Sequence, residues 1–289
     1  MSWKDVMQAF KQLQKGRASG EDIDVRWNSF RDAVQQCREE PPYHLISALD
    51  ALNEFDKPIE DIAILDHGCG TGITVLFLLA LGYRNIFGVD IGSGSTNWNK
   101  YLPRFGGPSE PRFFAYDGAR LEIESNSIDL LVSQQVAEHV SPDVFDAYYQ
   151  EAGRVLRPGG IAIHQVPHRL TPYDSHTRCW GVHMLPRPIS LLVYSALGRN
   201  REFVEKRLFL RMPWVHTRMV RRHIGPLVNL TPARVAHPIA HAYYDGPRGL
   251  RSFISAAGRL PVIGCVICGF IAPFLMLETK AKRAALFQD

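Results

Sequence analysis

Cysteine is scarce and unpaired in this chain: five residues, at 37, 69, 179, 265 and 268, an odd number without regular spacing. A secreted scaffold stapled by disulfides is therefore not expected. Cys265 and Cys268 have the spacing of a redox or zinc motif, but no second pair or nearby histidine completes four ligands, so they are expected to be small packing residues. The start, Met1-Ser-Trp-Lys-Asp5, lacks the charged-then-apolar pattern of a secretion signal, and a reducing, cytoplasmic setting is expected. No internal repeat is visible, which argues against a solenoid. Uncharged runs of 18 residues or more are also missing, with one exception. Leu260 to Leu277 is free of charge and just reaches the length of a membrane span, yet Pro261, Gly264, Gly269 and Pro273 argue against one regular helix. That stretch is expected to pack on the core or lie in a membrane interface.

What is present is enough apolar sequence, 46% of 289 residues, to bury one large domain or a domain with an extension. Charge is divided unevenly. Residues 1–168 hold 15 Lys and Arg against 23 Asp and Glu, and residues 169–289 hold 18 against 6, so the halves carry about −8 and +12. A basic second half implies an anionic partner, such as a phosphorylated small molecule, a lipid headgroup or nucleic acid. No RNA-binding module is recognisable, so nucleic acid is the least favoured of the three. Peripheral membrane contact through the C-terminal half stays open, as does the oligomeric state.

The chain is organised around Ile62-Ala-Ile-Leu-Asp66-His67-Gly68-Cys69-Gly70-Thr71-Gly72. A short apolar run ends in an acid and three alternate glycines, which reads as a buried strand turning into a ligand site. Ile73 to Leu81 then reads as a buried helix capped by Gly82. Asn85 to Asp90 repeats the apolar run and terminal acid, with Asp90 lying 22 residues after Gly68, where a ribose-binding carboxylate belongs. Arg112 to Asp117, followed by Gly118, is a third such strand. Ile128 to Val132 is the fourth and Ile161 to Val166 the fifth. Helices are expected before the first strand (24–38 and 43–55), with a lid helix or frayed end over 1–22. Others are expected at 98–102, 142–156, 189–197 and 214–223, a strand at 203–210, and a last strand at 274–278. Strands alternating with helices imply parallel βαβ units. The expected fold is α/β: a doubly wound, mainly parallel, seven-stranded Rossmann-like sheet. Residues 1–57 would form an N-terminal helical lid, 58–167 the ligand-binding core, and 168–289 a substrate-facing loop, a basic extension and the last strand or strands.

A dinucleotide site needs Gly-x-Gly-x-x-Gly, whereas here the glycines alternate and follow Asp66, which would repel a pyrophosphate and suits a ligand carrying a positive centre. A nicotinamide-dependent oxidoreductase is thus the less favoured alternative. Asp66 to Gly72, Asp90, Asp117, the stretch from Asp129 to His139 and Arg154-Val-Leu-Arg-Pro-Gly-Gly-Ile161 together resemble the ordered motifs of class I S-adenosylmethionine-dependent methyltransferases. The Glu138-His139 pair and the Leu-Arg-Pro-Gly-Gly turn are similar to the small-molecule and lipid group, type 11. The resemblance covers about residues 58–167. It implies that S-adenosylmethionine is the cofactor, that the turn of Gly68, Gly70 and Gly72 cradles its methionine part and that Asp66 holds its amino group. Asp90, with Ile91 beside it, would take the ribose, Asp117 and Gly118 would meet the adenine, and Ser133 and Gln134 would border the sulfonium.

The implied reaction is direct in-line methyl transfer to an oxygen of a small-molecule, glycan or lipid-linked acceptor, in which positioning supplies much of the rate. A hydroxyl acceptor benefits from a base near neutrality, so His139, His168, His176 and His183 qualify by position, with His168 preferred. Asp174 and His176 could pair as orienter and base, or share a metal with His168 or His183. The favoured reading has no metal. Residues 167–187 also resemble a bacterial subgroup associated with surface glycan or lipid-linked precursors. A catalytically silent cofactor-binding subunit, docked on a membrane or partner, is the alternative of a different class.

Overall fold

A computed structural model describes residues 3–37, 41, 43–236, 249, 252, 256, 266 and 269–284. Nine strands are formed among them: β1 Ile64–His67, β2 Ile86–Asp90, β3 Phe113–Ala115, β4 Ile128–Gln134, β5 Leu156–Val166, β6 Tyr173–Asp174, β7 Cys179–Trp180, β8 Leu227–Asn229 and β9 Leu277–Lys282. Seven make one sheet in the order β3-β2-β1-β4-β5-β9-β8, and β6 pairs with β7 in a separate hairpin. β1 to β5 run parallel, β9 is antiparallel to β5, and β8 is antiparallel to β9. The strand order reverses between β1 and β4, and the ends of β1, β2 and β4 open the crevice where open α/β sheets bind ligands.

The central strands are buried on both faces, as parallel strands covered by helices must be. All four residues of β1, and Ile128 to Ser133 of β4, are inaccessible to solvent. α4 (Ile73–Leu81) is apolar on every side because it lies between the sheet and the N-terminal helices. It begins at Gly72 and ends at Gly82, both in the left-handed region.

Three helices precede the sheet: α1 Trp3–Ser19, α2 Ile23–Gln36 and α3 Tyr43–Leu52. Their apolar faces (Val6, Phe10, Leu13, Trp27 and Phe30) share one core with α4 and with Trp98 of the 3-10 segment Ser93–Tyr101. Trp98 in turn donates its indole N–H to the Thr71 carbonyl at 2.9 Å, and Arg17 of α1 bonds the Gly94 carbonyl at 2.9 Å. The N-terminal helices thereby brace the glycine turn and the loop after β2 from behind.

α5 (Phe145–Val155) crosses α8 (Pro213–His223) at Gly153, where any Cβ would stand 2.0 Å from the His223 carbonyl oxygen. α6 (Arg187–Ala196) and α7 (Arg201–Arg207) build the extension after the hairpin, and α9 (Thr231–Ala236) leads away from β8.

The structure corrects two sequence expectations. Residues 201–207 are helical rather than part of a strand, because the Asn200 side chain caps the Phe203 N–H at 2.9 Å and Glu202 pairs with Lys206 one turn on. The last strand starts at Leu277 instead of 274. Ala272–Phe274 is a 3-10 turn with proline in its first positions, and pairing with β5 carries the strand through Lys280 to Lys282. Of the uncharged stretch 260–277, residues 260–265, 267 and 268 lie outside the described residues, Cys265 and Cys268 among them. Among the described residues no helix is long and apolar enough to cross a membrane.

Candidate active site

At the end of β1 the chain makes its turn with Gly68, Gly70 and Gly72 all at positive φ, yet the three glycines answer different needs. A Cβ on Gly68 would lie 2.2 Å from Val136, and one on Gly72 would lie 2.7 Å from Phe113. Those two are packing glycines. Gly70 alone of the three has open space where a Cβ would stand, which leaves room for a ligand to approach the backbone there.

Two carboxylates frame this open face. Asp90, at the end of β2, accepts the Gly70 N–H at 2.8 Å with one oxygen and the Gly92 N–H at 2.9 Å with the other. Asp66 is the third residue of β1 and is 4% exposed. Burial first, then the charge of Asp90, pushes its carboxyl up to about 7, with a hydrogen bond from Thr74 opposing. A buried acid beside another acid is stabilised by an incoming cation. Beyond Asp90, Ile91 is 72% exposed, and a Cβ on Gly118 would touch its side chain at 3.6 Å, so the two lie side by side on this rim. Asp117 caps its own turn through the Ala119 and Arg120 N–H groups, which hold its carboxyl below the usual range.

β4 extends further than the sequence suggested and carries Ser133 and Gln134 within it. The Ser133 hydroxyl is buried and shares a 2.5 Å hydrogen bond with Tyr148 of α5. The Gln134 amide donates to the His44 carbonyl of α3 at 2.5 Å. Both polar groups are thus engaged by neighbouring helices.

The loop after β4 and the β6–β7 hairpin form the second half of the site. Glu138 is 1% exposed, and burial pushes its carboxyl up to about 8. Neither of its oxygens has a hydrogen-bond partner. His139 and His176 face it, with Nε2 atoms 3.9 and 3.7 Å from Oε1. His176 sits in the turn of the hairpin, where Asp174 accepts its Nδ1–H at 3.1 Å and its backbone N–H at 3.2 Å. Burial opposes ionisation of Asp174, but hydrogen bonds from His176 and Thr177 outweigh it and hold the carboxyl below its ordinary value.

His168 lies apart from this group. Its Nε2 bonds the Leu275 carbonyl at 2.8 Å, its Nδ1 accepts the Leu170 N–H at 3.2 Å, and burial lowers it to about 4. With both ring nitrogens committed to backbone, it ties the end of β5 to the segment before β9 and has no lone pair left for a substrate proton. These contacts stand against the choice of His168 as base. His183 is likewise buried against the Thr171 carbonyl at 2.8 Å. Sequence reading missed Glu138 as a site residue; its one signal was the Glu-His pair directly after β4. It also missed Arg211, whose guanidinium grips the carbonyls of Ala137 and Val140 and so fixes the segment bearing Glu138.

The profile of the family described as "Methyltransferase domain" matches residues 64–160, which spans β1 through the glycine pair in β5. Residues 64–160 are thus similar to a methyltransferase domain, in keeping with the class I S-adenosylmethionine-dependent methyltransferase resemblance of the motifs. Among curated proteins, the sphingolipid C9-methyltransferase of Candida albicans is 26% identical over 42% of this chain and 25% of that protein. The ubiquinone biosynthesis O-methyltransferase of Pelagibacter ubique is 25% identical over 38% of this chain and 44% of its own length. This chain therefore spans less than half the length of either relative. Among solved structures, an S-adenosylmethionine-dependent methyltransferase from Mesorhizobium loti is 17% identical, covers 83% of this chain and 98% of that one, and superposes with a TM-score of 0.47.

S-adenosylmethionine is the cofactor that this similarity implies. The residues present fit that molecule: buried Asp66 beside the more exposed Asp90 suits its amino group, Gly70 leaves room for the chain to pass, and exposed Ile91 offers an apolar surface to a flat base.

Proposed function

We propose that this protein transfers the methyl group of S-adenosylmethionine to an oxygen of a small-molecule, glycan or lipid-linked acceptor. The observation that carries the donor half is the buried Asp66 beside Asp90, under the open face of Gly70. In this reading Asp66 holds the donor's ammonium, Gly70 lets its methionine part pass, and Asp90 receives the ribose hydroxyls. Ile91 and Gly118 flank the adenine and Asp117 accepts from its amino group. Ser133 and Gln134 contribute the wall near the sulfonium through their backbone, since their side chains are engaged elsewhere.

When bound, the donor supplies a methyl carbon on a positively charged sulfur, which an acceptor held in line can attack. The chain's own task is to hold that line and to relieve the acceptor of its proton. Glu138, His139 and His176 are assigned to the acceptor side because they present ring nitrogens and a carboxylate to one small space. An oxygen acceptor is favoured over carbon because such a group acts on an O–H proton, which is removed far more readily than a C–H proton. The basic half of the chain supports an acceptor bearing phosphate or another anion.

Calorimetric titration with S-adenosylhomocysteine tests the donor half, with one-to-one binding expected and absence of binding overturning it. Incubation with methyl-labelled S-adenosylmethionine and a panel of hydroxylated acceptors tests the acceptor half. Label recovered in a base-stable C–methyl product, with none in an ether or ester, would overturn the assignment to oxygen.

A further inference from the structure

The carboxylate of Glu138 is almost completely buried and both of its oxygens lack a hydrogen-bond partner. Leaving a buried polar group in that condition costs about 1–3 kcal/mol, and more if it is ionised. Its nearest neighbours are arranged as ligands are. Glu138, His139 and His176 each offer one atom to a common point, and these atoms lie within 4.8 Å of one another.

The supporting contacts have the same character. His139 is fixed through Nδ1, which donates to the Arg207 carbonyl at 2.6 Å, and His176 through Nδ1 to Asp174. Both rings therefore turn Nε2 toward Glu138. Metal-bound histidines are oriented in this way, by a carbonyl or carboxylate on the other nitrogen. The backbone beneath is held as well: Phe209 donates to the Glu138 carbonyl at 2.6 Å, and Arg211 bonds the carbonyls on either side of the Glu138-His139 pair.

We infer that Glu138, His139 and His176 form a binding site for a divalent transition-metal ion. Two imidazoles and one carboxylate suit zinc, manganese or iron(II) better than calcium or magnesium, which prefer oxygen ligands throughout. Two ligands on an ion at about 2.1 Å stand about 3.0–3.5 Å apart, so the 3.7 and 3.9 Å from Glu138 to the two histidines need close by only a few tenths of an ångström, and the widest separation in the group, within 4.8 Å, by up to about 1.3 Å. The histidines are the solvent-facing members, with side chains 34% and 17% exposed, so an ion can enter between them.

Three protein ligands leave coordination positions open, as catalytic sites do. The role of those positions rests on the methyl-transfer reading: they take the acceptor oxygen. With the three side chains engaged as ligands, the ion rather than a side-chain base acidifies the hydroxyl; its proton passes to water, the oxygen's electron pair forms the C–O bond, and the C–S bond breaks toward sulfur to release neutral S-adenosylhomocysteine. Sequence alone favoured no metal and weighed His168 and His183 as partners of His176, whereas the fold brings Glu138 and His139 to it instead.

The test uses the full chain, stripped with a chelator and dialysed, then titrated with Zn²⁺ and separately with Mn²⁺ by calorimetry. One ion per chain is expected for at least one of them. Glu138→Gln and His139→Ala should each abolish that binding, and Asp174→Asn should weaken it about 10- to 100-fold. His139→Ala removes a partly exposed ring, so it keeps the test decisive should Glu138→Gln fail to fold. No stoichiometric binding to the stripped protein, or equal binding by the folded variants, would overturn the site. The same stripped protein is titrated with S-adenosylhomocysteine. Metal binding without that ligand would sink the methyl-transfer reading and leave the metal site standing, and the reverse result would do the opposite.

Discussion

The Asp90 carboxylate accepts the backbone N–H of Gly70 at 2.8 Å, which fastens the tip of the glycine turn to the end of the neighbouring strand. One side chain thus shapes the turn and stands exposed at its rim. Both features follow from the parallel pairing of β1 with β2, which brings the two strand ends to one edge.

Replacing Asp90 by alanine should therefore weaken S-adenosylhomocysteine binding about 10- to 100-fold, the equivalent of about 1.5–3 kcal/mol for a hydrogen bond to a charged group. Calorimetry on the folded variant checks this. An unchanged dissociation constant would remove Asp90 from the ligand site.

The glycines can be separated by their surroundings. Gly68→Ala drives a methyl group into Val136 and should lower the melting temperature strongly, whereas Gly70→Val meets open space and should leave most of the stability while abolishing donor binding. Backbone strain at φ 51° adds about 1–2 kcal/mol to the second variant. Thermal melts run beside ligand titrations distinguish the two effects.

Asp66 predicts a pH dependence with a definite sign. Its folded value of about 7 stands above the unfolded value of about 3.9, so the native state binds more protons and loses stability as pH rises through that window. Donor binding should change in the opposite direction, because the ionised carboxylate pairs with the ammonium. Affinity for S-adenosylhomocysteine is expected to rise between pH 6 and pH 8, and Asp66→Asn should flatten both profiles. Asp90 faces the same group and stays in the variant, so the difference between wild type and Asp66→Asn isolates Asp66.

His168→Ala should cost about 1–3 kcal/mol, since it strands the Leu275 carbonyl and the Leu170 N–H. The dissociation constant for S-adenosylhomocysteine should stay as in wild type. A stable variant with no methyl transfer would return His168 to the chemistry.

The order of strands, the glycine turn, Asp66, Asp90 and the methyltransferase resemblance were all legible in the residues themselves. The reason is locality. An apolar run of four or five residues ending in an acid and a glycine dictates a buried strand and a turn within about ten residues of sequence, and the turn chemistry needs no distant partner. Helix 201–207 was also local, but its signal lay in the Asn200 cap rather than in the apolar spacing that suggested a strand.

Tertiary structure alone decided what those residues touch. Gly68 is a packing glycine because Val136 arrives from the loop after β4, and Gly70 is open because nothing arrives. His168 looks like a base in sequence and is a backbone tie in space, because β9 returns beside β5 and brings the Leu275 carbonyl to it. Glu138 and His139 meet His176 only because the β6–β7 hairpin folds back over the loop after β4. Contacts of that kind join residues dozens of positions apart, and no periodicity along the chain encodes them.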